Sequence, residues 1–509
     1  MKGDLQDSLP SAPLEVHPGD LARTLRGRLA SGARYLTAAA VDEGPTGCLR
    51  LDWVFARPGA GPVEIVRTRV PAARPEYPSV VPVLPAAHWD EREARDLFGV
   101  VPLGHPDLRR LVLPDGWPDG VHPLRRETEA LPPPAVAGTD WAPVVAEGDG
   151  VVRMPVGPVH AGIIESGHFV FSLMGETILH LDVRLFWKHR GVEKALEGLP
   201  WSEVAPLVER VCVGCTASHQ DAWSQALEAI AGWDVPPRGR SLRTILLECE
   251  RLWNHINDVA AIPAGTGLTV AAMEGAALKE RMLRAQAAAF GHRYLWGTIR
   301  PGGTAVDLSE EAAARLRREL GPIRGELARL GQRMLRHPGF MDRLRGTGVL
   351  PAGLALDLGA VGPAARASGL AVDLRVDRPH LMYSELAPRV VREESGDVAA
   401  RFSVRLREAE VSFALVDRLL RELPPGPCRG AEPAGTRVAS GLAVTAGESP
   451  RGANVHYVEL ADGRISRYRI RSAAFANWPL LLQAVPGNLI GDFPLINKSF
   501  ELCYGCCDR

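Results

Sequence analysis

The chain has 509 residues, of which 46% are apolar and 23% charged, a composition typical of a soluble globular protein. Its formal net charge of −1 gives no reason to expect a nucleic acid or an anionic membrane surface as a partner. The length predicts two or three domains. Every apolar run is shorter than the roughly 18 residues needed to cross a bilayer. The start, MKGDLQDSLP, lacks a secretory pattern, so we expect a cytoplasmic protein that reaches any membrane through partner subunits.

The first predicted domain spans residues 1–130 and mixes helix with strand. LARTLRGRLASGARYL has helical periodicity, whereas LRLDWVFAR and VEIVRTRVPA alternate apolar and polar residues as strands do. A charged, turn-rich stretch follows, HWDEREARDLFGVVPLGHPDLRRLVLPDG. Residues 131–150 begin LPPPAVAG and predict a stiff, poorly packed linker, because consecutive prolines restrict the backbone.

The second predicted domain spans residues 151–509. VVRMPVGPVHAGIIESGHFVFSLMGETILHLDVRLF predicts a β-meander, and ANVHYVELADGRISRYRIRS predicts a hairpin that turns at Asp462-Gly463. Between them lie long helical patterns such as SEVAPLVERVCVGCTASHQDAWSQALEAIAG and LRTILLECERLWNHINDVAAI. Helices of this length favour a bundle. We therefore predict an α+β protein: a small α+β domain followed by a mostly helical bundle domain with β-hairpins.

Two of the sequence features carry chemistry: the pairs Cys212/Cys215 and Cys503/Cys506. In a reducing compartment, clustered cysteines indicate metal ligands or redox groups rather than disulfides. Each pair has a glycine before its second cysteine, and together the pairs offer four soft thiolates. The spacer of 287 residues is much longer than that of a zinc ribbon. A zinc site, an iron–sulfur cluster and another thiolate-bound metal centre all remain open at this point. The isolated cysteines are interpreted as small apolar residues: Cys48, Cys249 and Cys428.

The residues around these pairs resemble a known family. RVCVGC and the C-terminal Cys-x-x-Cys-x-x-Arg are similar to the two nickel-binding motifs of nickel–iron hydrogenase large subunits. PVGPVHAGIIESGHF, DVRLFWKHRGVEK, VGPAARASG, DLRVDRPHLMY and SPRGANVHY resemble the energy-converting branch, of the formate hydrogenlyase type, which is related to the complex I 49 kDa subunit. ERxxxDLFGVxxxGHPDLRRL and HPLRRE resemble the complex I 30 kDa subunit, fused in front. The two resemblances cover nearly the whole chain.

The resemblance implies a nickel–iron centre on four thiolates. Cys212 and Cys503 would be terminal nickel ligands, and Cys215 and Cys506 would bridge nickel and iron. It also implies carbon monoxide and cyanide on the iron, supplied by maturation proteins, and no iron–sulfur cluster in this chain. The implied partners are an iron–sulfur small subunit like the complex I 20 kDa subunit, a ferredoxin-like iron–sulfur subunit and integral membrane subunits. The implied function is reversible H₂ oxidation and proton reduction in a complex at the inner face of the cell membrane.

Two further residues match functional positions of that family. Arg451, in SPRG, matches the arginine above the open metal site, and Glu165, in IIESGHF, matches the glutamate that carries protons. Without the motifs, a surface arginine and a solvated turn carboxylate are the simpler interpretations. His160 and His168 flank the same hairpin, and we interpret both as structural.

Other polar residues have weaker claims to a role. Three lie in motifs that the family uses near its active site or proton path: Arg366, Asp373 and His380. Three lie in the helical pattern ECERLWNHINDV, which could present them to a proton route, although an exposed or partner-facing helix is the simpler interpretation: Glu250, His255 and Asp258. Cys507 is an extra thiol that is either a spectator, a competitor for metal or a site of oxidation.

The chain departs from the family pattern at both motifs. Glu501-Leu502-Cys503 replaces Asp-Pro-Cys, and Val213 replaces the usual glycine. Many family members are cleaved after this C-terminal motif, and we interpret the present chain as a form made without an extension. Two competing functions remain. One is a complex I-like NAD(P)H/quinone oxidoreductase subunit without its own metal, and the other is a scaffold with a structural zinc.

Overall fold

The computed structural model describes residues 7–59, 61–128, 141–160, 164–432 and 440–509. It has the predicted α+β architecture, with an N-terminal sheet region and a larger, mostly helical part. The strands of the N-terminal region are β1 (Leu14–Glu15), β2 (Arg34–Asp42), β3 (Cys48–Ala56), β4 (Glu64–Pro71), β5 (Glu76–Pro78) and β6 (Val101–Leu103). Strands β2, β3 and β4 pair antiparallel, whereas β1 pairs parallel with β4 and β5 pairs parallel with β6.

Helices α1 (Leu21–Ala30) and α2 (His88–Phe98) pack against this sheet. The periodicity predicted a longer first helix, which was wrong at its end. Gly32 adopts a left-handed backbone with φ of 83°, which ends the helix, and the following residues enter β2. The strands predicted for the two alternating segments are observed as β3 and β4.

The larger part holds two antiparallel meanders. The first was predicted, whereas the second contains the predicted hairpin together with one further strand, Gly441–Ser449, that was not predicted. Its strands are β7 (Val151–Val156), β8 (His168–Met174), β9 (Thr177–Arg184), β10 (Ile299–Arg300), β11 (Gly303–Thr304), β12 (Gly441–Ser449), β13 (Gly452–Ala461) and β14 (Arg464–Arg471). The sheets run β7-β8-β9 and β12-β13-β14, and β10 pairs with β11. Asp462 and Gly463 have φ of 49° and 75°, the two positive values that a tight hairpin turn requires.

A bundle of long helices forms the core of this part. The helices are α3 (Val192–Leu196), α4 (Ala205–Val208), α5 (Thr216–Ala231), α6 (Pro237–Ala264), α7 (Thr269–Phe290), α8 (Glu310–Arg336), α9 (Pro338–Leu344), α10 (Ala352–Asp357), α11 (Gly362–Ala367), α12 (Leu374–Asp377), α13 (Tyr383–Leu386), α14 (Val398–Arg421), α15 (Ala473–Ala484), α16 (Phe493–Phe500) and α17 (Tyr504–Asp508). Helix α6 packs against α7 and α14, and α8 packs against the same two helices. The bundle therefore encloses α6.

The position of α6 corrects one expectation. Three of its polar residues were interpreted as exposed or facing a partner, but all are fully buried: Glu250, His255 and Asp258. Each has a partner that makes burial tolerable, since Ser218 donates its hydroxyl to Glu250 (2.5 Å) and Arg405 donates to Asp258 (2.9 Å). His255 Nε2 lies 2.9 Å from a carboxylate oxygen of Glu408. Polar positions on this helix therefore indicate internal ion pairs rather than solvent.

The N-terminal region and the bundle part share polar contacts. Tyr457 donates its hydroxyl to Asp52 (2.8 Å), and Arg467 donates to the carbonyl oxygen of Ala40 (2.9 Å). Residues 131–140 of the predicted linker lie outside the described residues, and 141–147 contain neither helix nor strand. Across the described ranges, no helix is both long enough and apolar enough to cross a membrane.

Close approach of α6 and α7 yields a prediction about stability. A Cβ added at Gly275 would lie 2.4 Å from the Cβ of Ala260, which is too close for real carbons. Gly275→Ala is therefore expected to destabilise the protein by about 1–3 kcal/mol, more than the roughly 1 kcal/mol that alanine gains over glycine in a helix. Gly325→Ala, on α8, meets only the flexible Arg329 side chain at 3.6 Å and is expected to raise stability slightly. Thermal unfolding midpoints of the two variants test this, and equal shifts would contradict the packing argument.

Candidate metal centre

The first cysteine pair lies where an extended segment turns into α5. Cys212 has an extended backbone, and its carbonyl oxygen accepts the N–H of Cys215 (3.2 Å) in a single tight turn. The carboxylate of Glu250 accepts the N–H groups of Ala217 (2.6 Å) and Ser218 (3.1 Å) at the start of α5. The buried sulfur of Cys215 thus lies at a helix N-terminus, where the helix dipole favours a thiolate.

The second pair lies in the short helix at the end of the chain. After α16, Glu501 takes a left-handed backbone (φ of 51°), and the Cys503 sulfur accepts the N–H of Cys506 (3.3 Å) as the cap of α17. The Cys503 and Cys212 sulfurs lie 3.5 Å apart. The sulfurs of Cys212, Cys215 and Cys506 all lie within 4.8 Å of one another. The fold thus brings all four predicted ligands together.

Arg190 holds the two cysteine segments together, and sequence reasoning did not assign it this role. Its guanidinium donates to the carbonyl oxygens of Arg210 (3.0 Å) and Val211 (2.9 Å), directly before the first pair. It also donates to the carbonyl oxygen of Gly505 (3.0 Å), inside the second pair. One planar, permanently charged group therefore fixes the relative position of both pairs.

The segment 186–190 also holds the end of the chain. The Asp508 carboxylate accepts the N–H groups of Phe186 (3.0 Å) and Lys188 (2.9 Å), and His189 Nδ1 lies 2.7 Å from the Asp508 carbonyl oxygen. Burial raises the pKa of Asp508 to about 7, opposed by those two backbone hydrogen bonds. The helix that carries Cys506 is thus fixed at its far end.

Arg451 lies beside both cysteine pairs, in the turn between β12 and β13. Its guanidinium donates to the side-chain oxygen of Asn254 and to the carbonyl oxygen of Glu501. A Cβ added at Gly214 would lie 3.0 Å from its Nη1. Burial alone would lower the pKa of Arg451, but the carboxylates of Asp258 and Glu501 raise it above the ordinary value. The arginine is buried rather than a surface residue, and it stays charged.

Glu165 lies against the second cysteine pair, in the loop between β7 and β8. Its carboxylate is exposed and accepts the N–H of Gly505 (2.6 Å), between the cysteines of the second pair. A Cβ on Gly505 would lie 2.9 Å from both carboxylate oxygens, so this close approach requires glycine. The loop acid and the second pair are therefore in direct contact.

A buried histidine pair adjoins the cluster and was not predicted. His219 Nε2 lies 3.8 Å from the Cys506 sulfur, and its Nδ1 lies 2.9 Å from His456 Nε2. His456 Nδ1 in turn lies 2.8 Å from the Tyr468 hydroxyl. Burial lowers the pKa of His219 to about 4, so its ring is neutral. The sequence feature that could have identified His219 was its position one helical turn after Cys215, which places both side chains on one face.

The cluster environment favours the thiolate at two of the four cysteines. Hydrogen bonds with Cys212 and Cys506 lower the pKa of Cys215 well below the ordinary thiol value. A hydrogen bond with Cys212 lowers the pKa of Cys503, and the charge of Arg451 acts in the same direction on both. Hydrogen bonds with Cys215 and Cys503 raise the pKa of Cys212. The pKa of Cys506 is raised as well, against a hydrogen bond with Cys212, by a hydrogen bond with Cys215 and by burial. Because the thiolate is the form that binds metal, Cys215 and Cys503 are the sulfurs prepared as ligands.

The remaining candidates have structural partners. His160 Nε2 binds the carbonyl oxygen of Gly167 (2.7 Å), and His168 packs edge-on against Trp141. Arg366 and Asp373 lie in a buried ion network 3.8 Å from each other. Two others are buried: His380, which lies 3.1 Å from Asp221, and Cys507, whose backbone N–H donates to the carbonyl oxygen of Cys503 (3.2 Å) and whose sulfur lies outside the group of three close sulfurs. Burial raises the pKa of Cys507 well above the ordinary value, so it is a poor nucleophile.

The residues present fit a nickel–iron centre. The donor set consists of sulfurs only, it is mostly buried, and soft thiolates suit nickel and iron. A charged guanidinium lies next to Gly214 of the first pair, and an exposed carboxylate lies next to Gly505 of the second pair. The four donors would hold the metals, and the segments that carry them are fixed by Arg190 and Asp508.

Comparison with known proteins supports the same assignment. Residues 190–258 match the family described as nickel-dependent hydrogenase, and residues 16–133 match the respiratory-chain NADH dehydrogenase 30 Kd subunit. Residues 266–436 and 431–509 match the 49 Kd subunit of the same enzyme. The first cysteine pair therefore lies in the hydrogenase match, and the second lies in the 49 Kd match.

Individual relatives extend over most of the chain. It is 37% identical over 452 residues to formate hydrogenlyase subunit 5 of Escherichia coli (strain K12), covering 87% of this chain and 79% of the relative. It is 34% identical to hydrogenase-4 component G of the same organism, covering 87% of this chain and 78% of the relative. The chain belongs to the large-subunit family of energy-converting nickel–iron hydrogenases. It is a hydrogenase-type oxidoreductase subunit, with a 30 Kd-like region fused in front of a 49 Kd-like part.

A solved structure shows the same fold. A chain in the structure of the membrane-bound sulfane sulfur reductase, an archaeal respiratory membrane complex, matches with a TM-score of 0.67 and 28% identity. The match covers 71% of the present chain and 99% of that chain. The energy-converting family fold is thus shared with a complex whose name refers to sulfur reduction, so the reaction has to be argued from the site residues.

The bridging role of Arg190 is testable without the native metals. Arg190→Gln removes up to three hydrogen bonds from a charged donor, so the affinity of the metal-free chain for Co²⁺, a thiolate probe, is expected to fall at least about tenfold. The sulfur-to-cobalt absorption bands in an anaerobic titration measure it. Arg210→Gln, on an exposed neighbouring side chain, is the matched control and should bind Co²⁺ normally. Unchanged affinity in Arg190→Gln would show that the pairs do not depend on this contact.

Proposed function

We propose that this chain is the catalytic subunit of a hydrogenase complex, which oxidises H₂ and reduces protons reversibly. The observation that carries the proposal is the convergence of the four cysteine sulfurs, from two segments 291 positions apart, next to Arg451 and Glu165. A scaffold without a metal has no need to bury four free thiols together, since thiol reactivity is a liability there.

The four cysteines would hold the metals. From the resemblance, the sulfurs of Cys212 and Cys503 would bind nickel, and those of Cys215 and Cys506 would serve as ligands of both nickel and iron; the proximity of the sulfurs supports this. When bound, the centre supplies an open coordination position at which H₂ is polarised, and the iron carries carbon monoxide and cyanide. Arg451 is anchored by Asn254 and the Glu501 carbonyl oxygen, so it presents a fixed positive charge to the reacting side of the site.

Glu165 is assigned as the proton carrier. Its carboxylate is held by the Gly505 N–H inside the second pair, within reach of the ligand sulfurs, and its exposure gives it access to solvent or to a partner surface. A carboxylate so placed accepts a proton from the site and passes it outward. Its hydrogen bond to Gly505 orients it while leaving the second carboxylate oxygen available.

The surface near the site supports a docked electron acceptor. Apolar side chains beside the ligands and the loop acid are exposed, namely Val213 (46%), Ile164 (56%) and Trp187 (41%). Exposed apolar residues grouped around a site indicate an interaction surface. We assign it to an iron–sulfur small subunit, with electrons passed on to a ferredoxin-like subunit and the complex held at the inner face of the membrane by integral membrane subunits.

In this proposal the chain carries no iron–sulfur cluster of its own, and residues 1–130 and 151–509 are its two domains, joined by 131–150.

The metal content is the first test. The chain, purified anaerobically from nickel-fed cells with matched maturation proteins, is expected to hold about one nickel and one iron and to show infrared bands of metal-bound carbon monoxide and cyanide. Cys503→Ser is expected to lose nickel, because a hydroxyl is a poor soft ligand. Elemental analysis and infrared spectroscopy measure both.

Other outcomes would select another function. A folded chain with no nickel and no such bands, despite working maturation, would refute the proposal. If that chain binds a quinone analogue, the function related to NADH-quinone oxidoreductase subunits C/D, to which it is 29% identical, would take its place. One zinc per chain without nickel would identify a structural site.

A second test addresses proton transfer. Glu165→Gln keeps the size of the side chain and its acceptor for the Gly505 N–H, but it cannot carry a proton. Nickel content is expected to stay unchanged, while H₂/D₂O isotope exchange falls by about 10²-fold or more, the usual contribution of a positioned acid–base group. Mass spectrometry of the HD formed measures the rate.

Glu176→Gln, at an exposed position of the adjacent hairpin, is the matched control and should exchange normally. If Glu165→Gln retained full exchange, the proton would leave by another group and the assignment of Glu165 would be wrong.

A further inference from the structure

The side chain of Arg509 is buried and reaches across to the N-terminal region. Its Nη2 donates to Glu93 (2.6 Å), on α2, and its Nη1 donates to Glu193 (2.9 Å), on α3 of the bundle part. Its guanidinium also lies 4.9 Å from the centre of the Phe475 ring. The end of the ligand-bearing segment is therefore held partly by a residue outside the bundle part.

The surroundings of Glu93 make this contact a specific one. Arg469, on β14, donates to both Glu93 (2.9 Å) and Glu193 (3.2 Å), so the guanidiniums of Arg469 and Arg509 share both carboxylates. Asp90 and Arg467 extend this buried cluster. Beside it, Trp89 of α2 packs edge-on against Phe475, with ring centres 5.5 Å apart. Burial raises the pKa of Glu93 to about 8, so near neutral pH its contact with Arg509 is a charge-assisted hydrogen bond, which becomes a full ion pair as the pH rises through that value.

Arg509 is closely connected to the ligands. The backbone N–H of Arg509 donates to the Gly505 carbonyl oxygen (3.0 Å), which also accepts from the Arg190 side chain. Gly505 itself lies between Cys503 and Cys506. A displacement of Arg509 is transmitted through a single helical turn to both ligands. We propose that Glu93 is a positioning residue, by which the fused N-terminal region holds the ligand-bearing tail closed through Arg509. The assignment of the tail cysteines as ligands rests on the proposed function, whereas the closure of the tail does not.

Glu93 lies in the 30 Kd match and Arg509 in the 49 Kd match, so the proposal gives the N-terminal region a role at the metal site. The main part alone would keep Glu193 as a partner for Arg509, but the tail would lose its contact with α2. Docking of the N-terminal region and closure of the site are then coupled events.

The test uses Cys507 as a reporter, because it is fully buried on α17 and is not an assigned ligand. In the metal-free full-length chain, Glu93→Gln is expected to speed alkylation of Cys507 by about tenfold, the factor for weakening a charge-assisted hydrogen bond. Mass spectrometry of the C-terminal peptide gives the rate. Glu91→Gln is the matched control, since Glu91 is a buried carboxylate of the same helix whose partners are Tyr77, Ser79 and Val80 of the N-terminal region.

Two outcomes would overturn the proposal: a wild-type rate in Glu93→Gln, or an equal rate in Glu91→Gln, which would mean that any damage to the N-terminal region opens the tail. Variants at the other partner separate positioning from general destabilisation. Arg509→Gln should match Glu93→Gln, Arg509→Lys should alkylate more slowly than Arg509→Gln because the charge is kept, and the double variant Glu93→Gln/Arg509→Gln should be no faster than the faster single one.

A second readout connects closure to the metal. In protein loaded by the maturation proteins, Glu93→Gln should lose nickel to a chelator faster than Glu91→Gln does. If the wild-type chain holds no nickel, the proposed function fails while the Cys507 rates still decide the role of Glu93. If nickel is present but both rates equal those of wild type, only the positioning role fails.

Discussion

The docking of residues 503–509 against the segment 186–190 is the constraint on which the candidate site depends. Two of the four sulfur donors come with that short tail, and a helix of this length is not stable by itself in water. Its position comes from the Asp508 carboxylate on two backbone N–H groups and from Arg190 on the Gly505 carbonyl oxygen. The same arginine also binds the backbone before Cys212, so it fixes the position of one cysteine pair relative to the other.

The bundle behind the site is unusually rich in buried charge. Its fully buried arginines include Arg243, Arg251, Arg366, Arg375, Arg401 and Arg405. Burying an ion pair adds little net stability, but breaking one is strongly destabilising, so such pairs specify geometry more than they stabilise. Asp258 illustrates this: it accepts from Arg405 on α14 (2.9 Å) and lies 3.6 Å from the Arg451 guanidinium. The arginine at the metal site is thereby located relative to the centre of the bundle.

Sequence reasoning predicted the features that have a local cause. Alternation predicted β3, β4, the first meander and the hairpin of β13 and β14. The Asp462-Gly463 turn has the two positive φ values that its residue types indicate, and the paired cysteines indicated the site. Features set by tertiary contacts were missed. Glu250 was interpreted as exposed because its contact with the start of α5 is a tertiary one. Arg190 was missed because it binds residues 20 and 315 positions away in the sequence. The helical periodicity of polar residues does not show whether they form internal ion pairs or face solvent.

Similarity to known proteins identifies the family, whereas the reaction has to be argued from the residues of the site. The second cysteine pair lies in a region that matches the 49 Kd subunit, so the scaffold alone does not distinguish a hydrogenase from its quinone-linked relatives. The distinction lies in a few side chains on a common frame. Where the sulfurs converge, Arg451 lies against Gly214 and Glu165 lies against Gly505, and both glycines leave room for these side chains. Two glycine positions leave room for a guanidinium and a carboxylate next to the four thiols. The surrounding structure is therefore arranged around the cysteines, and this favours a retained metal centre over one that has been lost.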